Sequence, residues 1–233
     1  MDFLVDAVRE AWRLILSRDP QVVSATLRTL AISLSAITLS VVLGLPTAML
    51  LARRRFPGRR LTLVGFRGAL GVPTVFLGLL CYGLFARRGP LGPLDLLYTP
   101  TGIVVGETLL ALPIIVALCH GAISSLDPKI SETARTLGAS PWQRATTYLS
   151  EARTGLALAL LTAFARCSTE LGIAMMVGGN IKDRTRTLAT ATALETSKGE
   201  FAIGLAMGGL LLLVATGMTV LVAVVGREDR GGS

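Results

Sequence analysis

Apolar runs long enough to cross a bilayer dominate the chain. A helix needs about 20 predominantly apolar residues to span the hydrocarbon core. Two runs carry no charged side chain, residues 29–52 and 201–225. Three more are broken only by isolated charges, namely 61–86 by Arg67, 101–126 by Glu107, and 154–179 by Arg166 and Glu170. The pattern predicts an all-α membrane protein with spans at about 22–52, 61–86, 101–124, 154–179 and 201–226.

Both ends of the chain lie outside this predicted membrane domain of residues 21–226. Residues 1–20 begin with a segment in which Leu4, Val8, Ala11, Trp12 and Ile15 recur at helical spacing, which predicts an amphipathic helix on the outer surface. Acidic residues near its start argue against a secretory signal. Residues 227–233 form a short polar tail.

The loops predict the orientation. The linker "RRRFPGRR" after the first span holds five arginines in eight residues. Short basic loops stay on the cytoplasmic side. We therefore expect a multi-pass protein of the cytoplasmic membrane with its N-terminus outside and its C-terminus in the cytoplasm.

Composition agrees with a membrane protein and excludes several enzyme classes. Hydrophobic residues make up 52% of the chain and charged residues 16%, where a soluble domain carries about a quarter. No lysine follows a glycine-rich loop and precedes Ser or Thr, so there is no P-loop and this chain does not hydrolyse ATP unaided. The one histidine, His120, and the unpaired Cys81, Cys119 and Cys167 indicate packing rather than a metal site or a catalytic residue.

A polar stretch, residues 125–153, interrupts the apolar pattern between the third and fourth spans. Asp127-Pro128 indicates a turn, Ser131 an N-cap, and Gly138 a helix stop or a point of close approach. The stretch therefore predicts two short helices hinged at the glycine. A solvated linker without a partner is the alternative to a docking site. The expected apolar faces consist of Ile130, Ala134 and Leu137 on the first helix and Trp142, Ala145 and Leu149 on the second.

Glu132, Thr133 and Ala134, followed after three residues by Gly138, resemble the EAA motif of the permease subunits of bacterial ABC importers. The resemblance implies the MetI-like permease fold of type I importers and a cytoplasmic coupling helix. That helix would dock on a separate ATPase subunit, which binds ATP and Mg, and no cofactor is expected on this chain. The coupling residues would be Glu132, Thr133, Ala134, Leu137, Gly138 and Ala139. The motif's second half is not met, since Tyr148 stands where the family has Ile.

The stretch from Phe164 to Phe201 resembles the molybdate, sulfate and tungstate permeases of this family. The shared pattern comprises Phe164, Ala165, Arg166, Glu170, Gly172, Gly179, Asn180, Ile181 and Thr185 to Leu188. Within that group, "MMVGGNIK" and "ALETSKGEF" most resemble the tungstate permeases. The resemblance implies import of an oxyanion delivered by an extracytoplasmic binding protein.

Two groups of residues are candidates for contact with the anion. Arg166 and Glu170 are spaced i,i+4 and can form either part of the pathway or a structural ion pair. The segment "GGNIKDRTRT" suggests a basic outer mouth, although lipid headgroups would explain its charge equally well. Its expected members are Gly179, Asn180, Lys182, Arg184 and Arg186.

Five spans are too few to enclose a pathway, so a homodimer is expected. Gly204 and Gly208 in the last span offer a close helix contact within or between subunits. A permease for molybdate or sulfate remains an alternative, as does a secondary carrier driven by an ion gradient. A membrane-bound enzyme is disfavoured because its catalytic residues are missing. Lipid is an expected neighbour and nucleic acid is not.

Overall fold

The structure is a computed structural model that describes residues 2–225, apart from the side chains of residues 2–4, 131, 219 and 221–225. The predicted tail, 227–233, lies outside the described residues. Within them the chain forms eleven α-helices and a 3-10 turn at Gly92–Leu94, with no strand. The helices are α1 (Asp2–Leu16), α2 (Pro20–Arg53), α3 (Arg59–Ala69), α4 (Thr74–Phe85), α5 (Pro100–Ser124), α6 (Pro128–Thr136), α7 (Pro141–Glu151), α8 (Arg153–Ser168), α9 (Gly172–Gly178), α10 (Leu188–Ser197) and α11 (Phe201–Val225).

Three of the predicted spans are single helices. The helices α2, α5 and α11 are each long and apolar enough to cross a bilayer alone. At 1.5 Å per residue, the 34 residues of α2 extend about 51 Å, well beyond a hydrocarbon core of about 30 Å. The ends of α2 therefore reach the aqueous boundary on both sides. Pro113 lies inside α5, and the helix continues past it to Ser124.

The second and fourth predicted spans are bent pairs of helices. The axes of α3 and α4 meet at 103°, and those of α8 and α9 at 53°. The first break falls at Gly71 and Pro73, where proline disfavours helix in the preceding residue and lacks an N–H to donate. No proline marks the second break, at residues 169–171. Five spans result when each pair counts as one crossing.

The helices α2 and α5 run parallel through the centre of the bundle. Ile32 packs with Ile103 near their beginnings, and Arg53 donates from Nη2 to the Ile123 carbonyl at 3.1 Å near their ends. Residues of α8 complete this core, among them Ala159, Ala163 and Phe164. We call the end that contains residues 54–58 and 125–152 the linker end, and the end that contains residues 86–99 and 179–187 the loop end.

Glycines bring the backbones of α4 and α9 together. A Cβ on Gly78 would lie 3.0 Å from the Gly172 carbonyl oxygen, and a Cβ on Gly172 would lie 3.0 Å from the Val75 nitrogen. No side chain fits between the two helices at this point. The contact joins the two halves of the bent spans that lie toward the loop end.

The helices α1 and α10 pack on α11. On α1, the small Ala7 and Ala11 are buried, whereas the larger Val8 and Trp12 of the predicted apolar stripe are exposed. Gly204 and Gly208 of α11 face α10, with a Cβ on Gly204 falling 2.7 Å from Thr196 Oγ1. The predicted small-residue contact is thus made within one chain.

Candidate functional site

The polar stretch at the linker end folds into two helices, α6 and α7, joined at Gly138. The first begins one turn earlier than predicted, because Asp127 and not Ser131 is its N-cap. The Asp127 carboxylate accepts a hydrogen bond from Lys129 N at 2.8 Å, and Pro128 occupies the first helical position. Proline suits that position because its missing N–H would have no helical partner there.

Gly138 ends α6. Its φ is +70°, its N–H donates to the Arg135 carbonyl at 3.0 Å, and the next N–H, of Ala139, donates to the Ala134 carbonyl at 2.9 Å. These two bonds form a Schellman motif, which caps the free carbonyls at a helix end. A Cβ on Gly138 would meet nothing within 4 Å. The glycine is therefore a helix stop in this chain and makes no close backbone approach.

A capping box starts α7 directly after this turn. The Ser140 hydroxyl accepts from Gln143 N at 3.3 Å, while Gln143 Oε1 accepts from Ser140 N at 2.8 Å. The two reciprocal bonds satisfy two N–H groups that the helix leaves free. Local capping bonds therefore set the start and end of α6 and the start of α7.

Tyr148 anchors the pair to the bundle. Its ring is buried among Ile123 and Ala152, with Ile130 of α6 packed against the same cluster. The guanidinium carbon of Arg53, at the end of α2, lies 3.8 Å from the ring centroid. Such a cation–π contact stabilises by about 0.5–2 kcal/mol. Where the family pattern has Ile, this chain therefore holds its coupling segment with an aromatic ring.

The opposite side of the pair presents apolar side chains outward. Leu137 is 80% exposed and Trp142 is 77% exposed. Within the predicted apolar faces, Ile130, Ala134, Ala145 and Leu149 are at least half-buried, whereas Leu137 and Trp142 are exposed. Leu137 follows the last residue of α6 and turns outward there. Glu132 and Thr133 are also exposed, so the EAA-like residues lie on an open surface.

Arg166 and Glu170 form the predicted ion pair, with 3.1 Å between Arg166 Nη1 and Glu170 Oε2. Glu170 lies beyond the end of α8, and its Oε1 accepts from Ile173 N at 3.1 Å. Its side chain is 1% exposed, whereas that of Arg166 is 42% exposed. One carboxylate thus pairs with the arginine and caps α9 across the helix break. The exposed side of Arg166 lines a cavity of about 380 Å³ together with Thr74, Thr169, Met175 and Met176.

The segment 179–187 at the loop end is held by hydroxyl groups. Thr185 Oγ1 donates to the Gly178 carbonyl at 2.6 Å and accepts from Ile181 N at 2.9 Å, and Thr185 is fully buried. Gly179 has a φ of +68°, and a Cβ there would lie 2.7 Å from the Tyr98 ring. Asn180 donates from Nδ2 to the Thr190 carbonyl at 3.3 Å. These bonds fix the backbone of the predicted outer mouth.

The three cations of that segment point in different directions. Lys182 and Arg184 are exposed, and Arg184 lines a cavity of about 560 Å³ with Arg87, Tyr82 and Tyr98. A side-chain hydrogen bond with Tyr82 raises the pKa of Tyr98. Arg186 is turned inward, with its side chain 15% exposed and Nη1 3.8 Å from Glu195 Oε1. The sequence analysis placed Arg186 in the outer mouth with Lys182 and Arg184, but its side chain is mostly buried.

Sequence reasoning missed several residues of the site. Nothing in the run of arginines after the first span distinguished Arg53, which packs on the Tyr148 ring. The sequence also did not indicate that Glu195 pairs with Arg186. The capping box at Ser140 and Gln143 was readable from "SPWQ". His120 is buried at the linker end, with Nε2 3.4 Å from Arg59 Nη2. Among residues 2–225 no cluster of three or more metal-ligating side chains occurs.

Comparison with known proteins identifies relatives over nearly the whole chain. A probable anion ABC transporter permease protein of Haloferax volcanii is 35% identical over 219 residues, covering 90% of this chain and 94% of the relative. The tungstate uptake system permease protein TupB of Campylobacter jejuni is 37% identical over 215 residues, covering 92% and 90%.

The fold has a solved counterpart as well. A chain of the MetNI methionine ABC transporter in an inward-facing conformation superposes with a TM-score of 0.73 at 20% identity, covering 90% of this chain and 96% of that one. The predicted all-α, MetI-like permease fold is therefore confirmed. Residues 40–228 match the family described as binding-protein-dependent transport system inner membrane component. The chain belongs to this family of inner-membrane transport permeases.

Proposed function

We propose that this chain is the membrane-spanning permease subunit of an ATP-driven importer for tungstate. Two copies would enclose the pathway, a cytoplasmic ATPase would dock on α6 and α7, and an extracytoplasmic binding protein would deliver the anion at the loop end. In this arrangement the linker end faces the cytoplasm and the N-terminus lies outside, as the arginine-rich linker predicts. ATP and Mg would bind to the ATPase subunit.

The observation that carries the proposal is the outward surface of α6 and α7. Leu137 and Trp142 are largely exposed on a segment in which both ends of α6 and the start of α7 are capped. An ordered segment with a buried anchor and an apolar outer side is suited to fill a groove on a partner. Glu132, exposed on α6, is available to a basic group of that partner.

The charges along the chain support an anionic substrate. The loop end exposes Lys182 and Arg184, and the exposed side of Arg166 lies beside the break in the fourth span. A paired arginine that keeps part of its surface open can contact an anion without the full penalty of an uncompensated charge. Because Arg166 lines a cavity at the surface of the single chain, a second copy placed there would bring two such arginines toward one pathway.

Docking is tested by co-purification of the permease with its ATPase. The matched variants are Trp142→Ala on α7 and Trp12→Ala on α1, since Trp12 is also largely exposed but lies at the other end of the bundle. We expect Trp142→Ala to weaken the complex by tenfold or more, as loss of a buried aromatic anchor does, and Trp12→Ala to leave it unchanged. Equal retention of the ATPase by both variants would contradict the docking surface.

Substrate and energy source are tested by uptake into vesicles that contain the whole complex. Labelled tungstate should enter only with ATP, and dissipation of the proton gradient should leave uptake unchanged; the reverse would indicate a secondary carrier. Molybdate and sulfate are then added as competitors. Tungstate, molybdate and sulfate are similar tetrahedral dianions, so uptake in which molybdate or sulfate competes more strongly than unlabelled tungstate would reassign the substrate within the oxyanion group.

A further inference from the structure

A cavity of about 560 Å³ lies at the linker end between α2 and the pair α6 and α7. Four arginines line it, Arg53 and Arg54 from the end of α2, Arg135 from α6 and Arg144 from α7. Pro46, Met49 and Leu50 of α2 form an apolar wall beside them. We call this space the arginine cavity. Pro141, Ala145 and Tyr148 of α7 complete its lining.

The positive charge of the arginine cavity is not neutralised by the residues that the structure describes. No carboxylate in residues 2–225 lies within 4.0 Å of any of its four guanidinium groups. Arg53 donates only to the Ile123 carbonyl, at 3.1 Å, and rests on the Tyr148 ring. Four like charges around one space repel one another, and an anion between them would remove that repulsion.

Two nitrogens of the cavity are also buried without a hydrogen-bond acceptor among the described residues. They are Nε of Arg53 and Nε of Arg144, one on each side of the space. Buried N–H groups are rarely left without an acceptor in folded proteins, and each exception calls for an explanation. The guanidinium fork matches the oxygens of a phosphate-type anion, which carries several strong acceptors.

We propose that the arginine cavity binds a tetrahedral oxyanion group of the phosphate type. The group belongs either to an anionic phospholipid of the leaflet at the linker end or to a free anion in solution. The wall of Pro46, Met49 and Leu50 suits the glycerol and upper acyl carbons of a phospholipid. Because the arginines come from α2, α6 and α7, one bound anion would tie the coupling helices to the first span.

The double variant Arg135→Gln with Arg144→Gln tests the site in the purified complex with the ATPase. In one arm, native mass spectrometry counts phosphatidylglycerol retained by the complex. In the other, radiolabelled inorganic phosphate is titrated into the complex in phosphatidylcholine nanodiscs. We expect wild type to bind in at least one arm and the double variant to bind about tenfold more weakly or worse, since it loses two charge-assisted contacts. Retention of phosphatidylglycerol would identify a lipid headgroup as the source of the anion, and binding of inorganic phosphate would identify a free anion.

The matched control is Arg9→Gln with Arg13→Gln, which removes the same charge from exposed positions on α1. Arg54→Gln, at an exposed residue of the cavity, guards against misfolding and should weaken binding several-fold. Binding that is absent from wild type in both arms, or equally strong in the double variant and wild type, overturns the proposal. Binding that appears only after deletion of residues 227–233, which include Glu228 and Asp229, also overturns it, because the chain's own carboxylates would then be the occupant.

Discussion

The two ends of the bundle hold their connecting segments by different means. At the linker end, α6 and α7 rest on the buried Tyr148 ring and the Arg53 guanidinium, and they present apolar side chains outward. At the loop end, residues 179–187 are fixed by the hydroxyl of Thr185 and present cations outward. Packing around one ring lets a capped helix pair move as a unit, whereas directional hydrogen bonds hold a backbone in place. This difference is consistent with the proposed docking of an ATPase at the linker end and delivery of the anion at the loop end.

The strongest test of the linker end is Tyr148→Ala. Removing a buried aromatic ring typically destabilises a protein by about 3–5 kcal/mol, and here Arg53 would also lose the ring beneath it. We expect the variant to lose most ATP-dependent uptake and to unfold earlier in a thermal assay of the detergent-solubilised protein.

Tyr148→Phe keeps the ring and is the control for that experiment. It should retain clearly more stability and uptake than Tyr148→Ala, because the packing and the cation–π contact depend on the ring. If Tyr148→Ala unfolds at the same temperature as wild type, the ring does not anchor α6 and α7.

At the loop end, Thr185→Val removes the hydroxyl that joins Gly178 to Ile181. The change removes the hydroxyl partner of the buried Gly178 carbonyl and of the partly buried Ile181 N–H, with an expected loss of about 1–3 kcal/mol. Thr38→Val, which removes an exposed hydroxyl bonded only to the Leu34 carbonyl, should change stability by well under 1 kcal/mol. Thermal unfolding of both variants measures the difference, and equal midpoints would show that the loop end is not held by this bond.

Gly138→Ala tests the turn between the coupling helices. Alanine at a φ of +70° should destabilise the left-handed turn by about 1–2 kcal/mol, although no atom would clash with its Cβ. Gly65→Ala, in the helical interior of α3 with equal space around it, should be neutral or slightly stabilising. We expect weaker ATPase co-purification for Gly138→Ala alone. Identical behaviour of the two variants would mean that the turn's conformation is not needed for docking.

The smallest expected effect concerns the exposed cations of the loop end. Lys182→Gln with Arg184→Gln should slow uptake a few-fold at low ionic strength, and the difference should shrink as salt screens the remaining field. The exposed pair Arg9→Gln with Arg13→Gln controls for net charge. A deficit that does not depend on salt would indicate a structural role and not steering of the anion.

The spans were the part of the fold most accessible from sequence. Long apolar runs, broken in α5 only by Glu107, predicted α2, α5 and α11, because length and hydropathy largely determine whether a helix suits the bilayer. The break before α4 was readable from Gly71 and Pro73. The break before α9 could not be predicted from the sequence, because it depends on the contacts of the Glu170 carboxylate with Arg166 and with the Ile173 N–H in the folded chain.

The candidate site, too, was predicted only in part from the sequence. The motif around Glu132 and Gly138 drew attention to this segment, and of the two roles predicted for Gly138, a helix stop or a close approach, the structure shows the helix stop. Sequence spacing did not reveal that Leu137 turns outward or that Arg186 turns inward, because the first depends on where α6 ends and the second on a partner, Glu195, on another helix. Tyr148 departs from the family pattern in sequence but serves as the anchor in structure.

The backbone contact between Gly78 and Gly172 has a mechanical consequence for transport. At this contact no side chain separates the two backbones, and beside it Cys81 and Phe85 of α4 pack against Ile173 and Val177 of α9, so the two helices form one tightly packed unit. The chain connects α4 to α3 through residues 70–73 and α9 to α8 through residues 169–171. A tilt that starts at the linker end would therefore move α4 and α9 together at the loop end. A bulkier residue at either glycine would force the two helices apart.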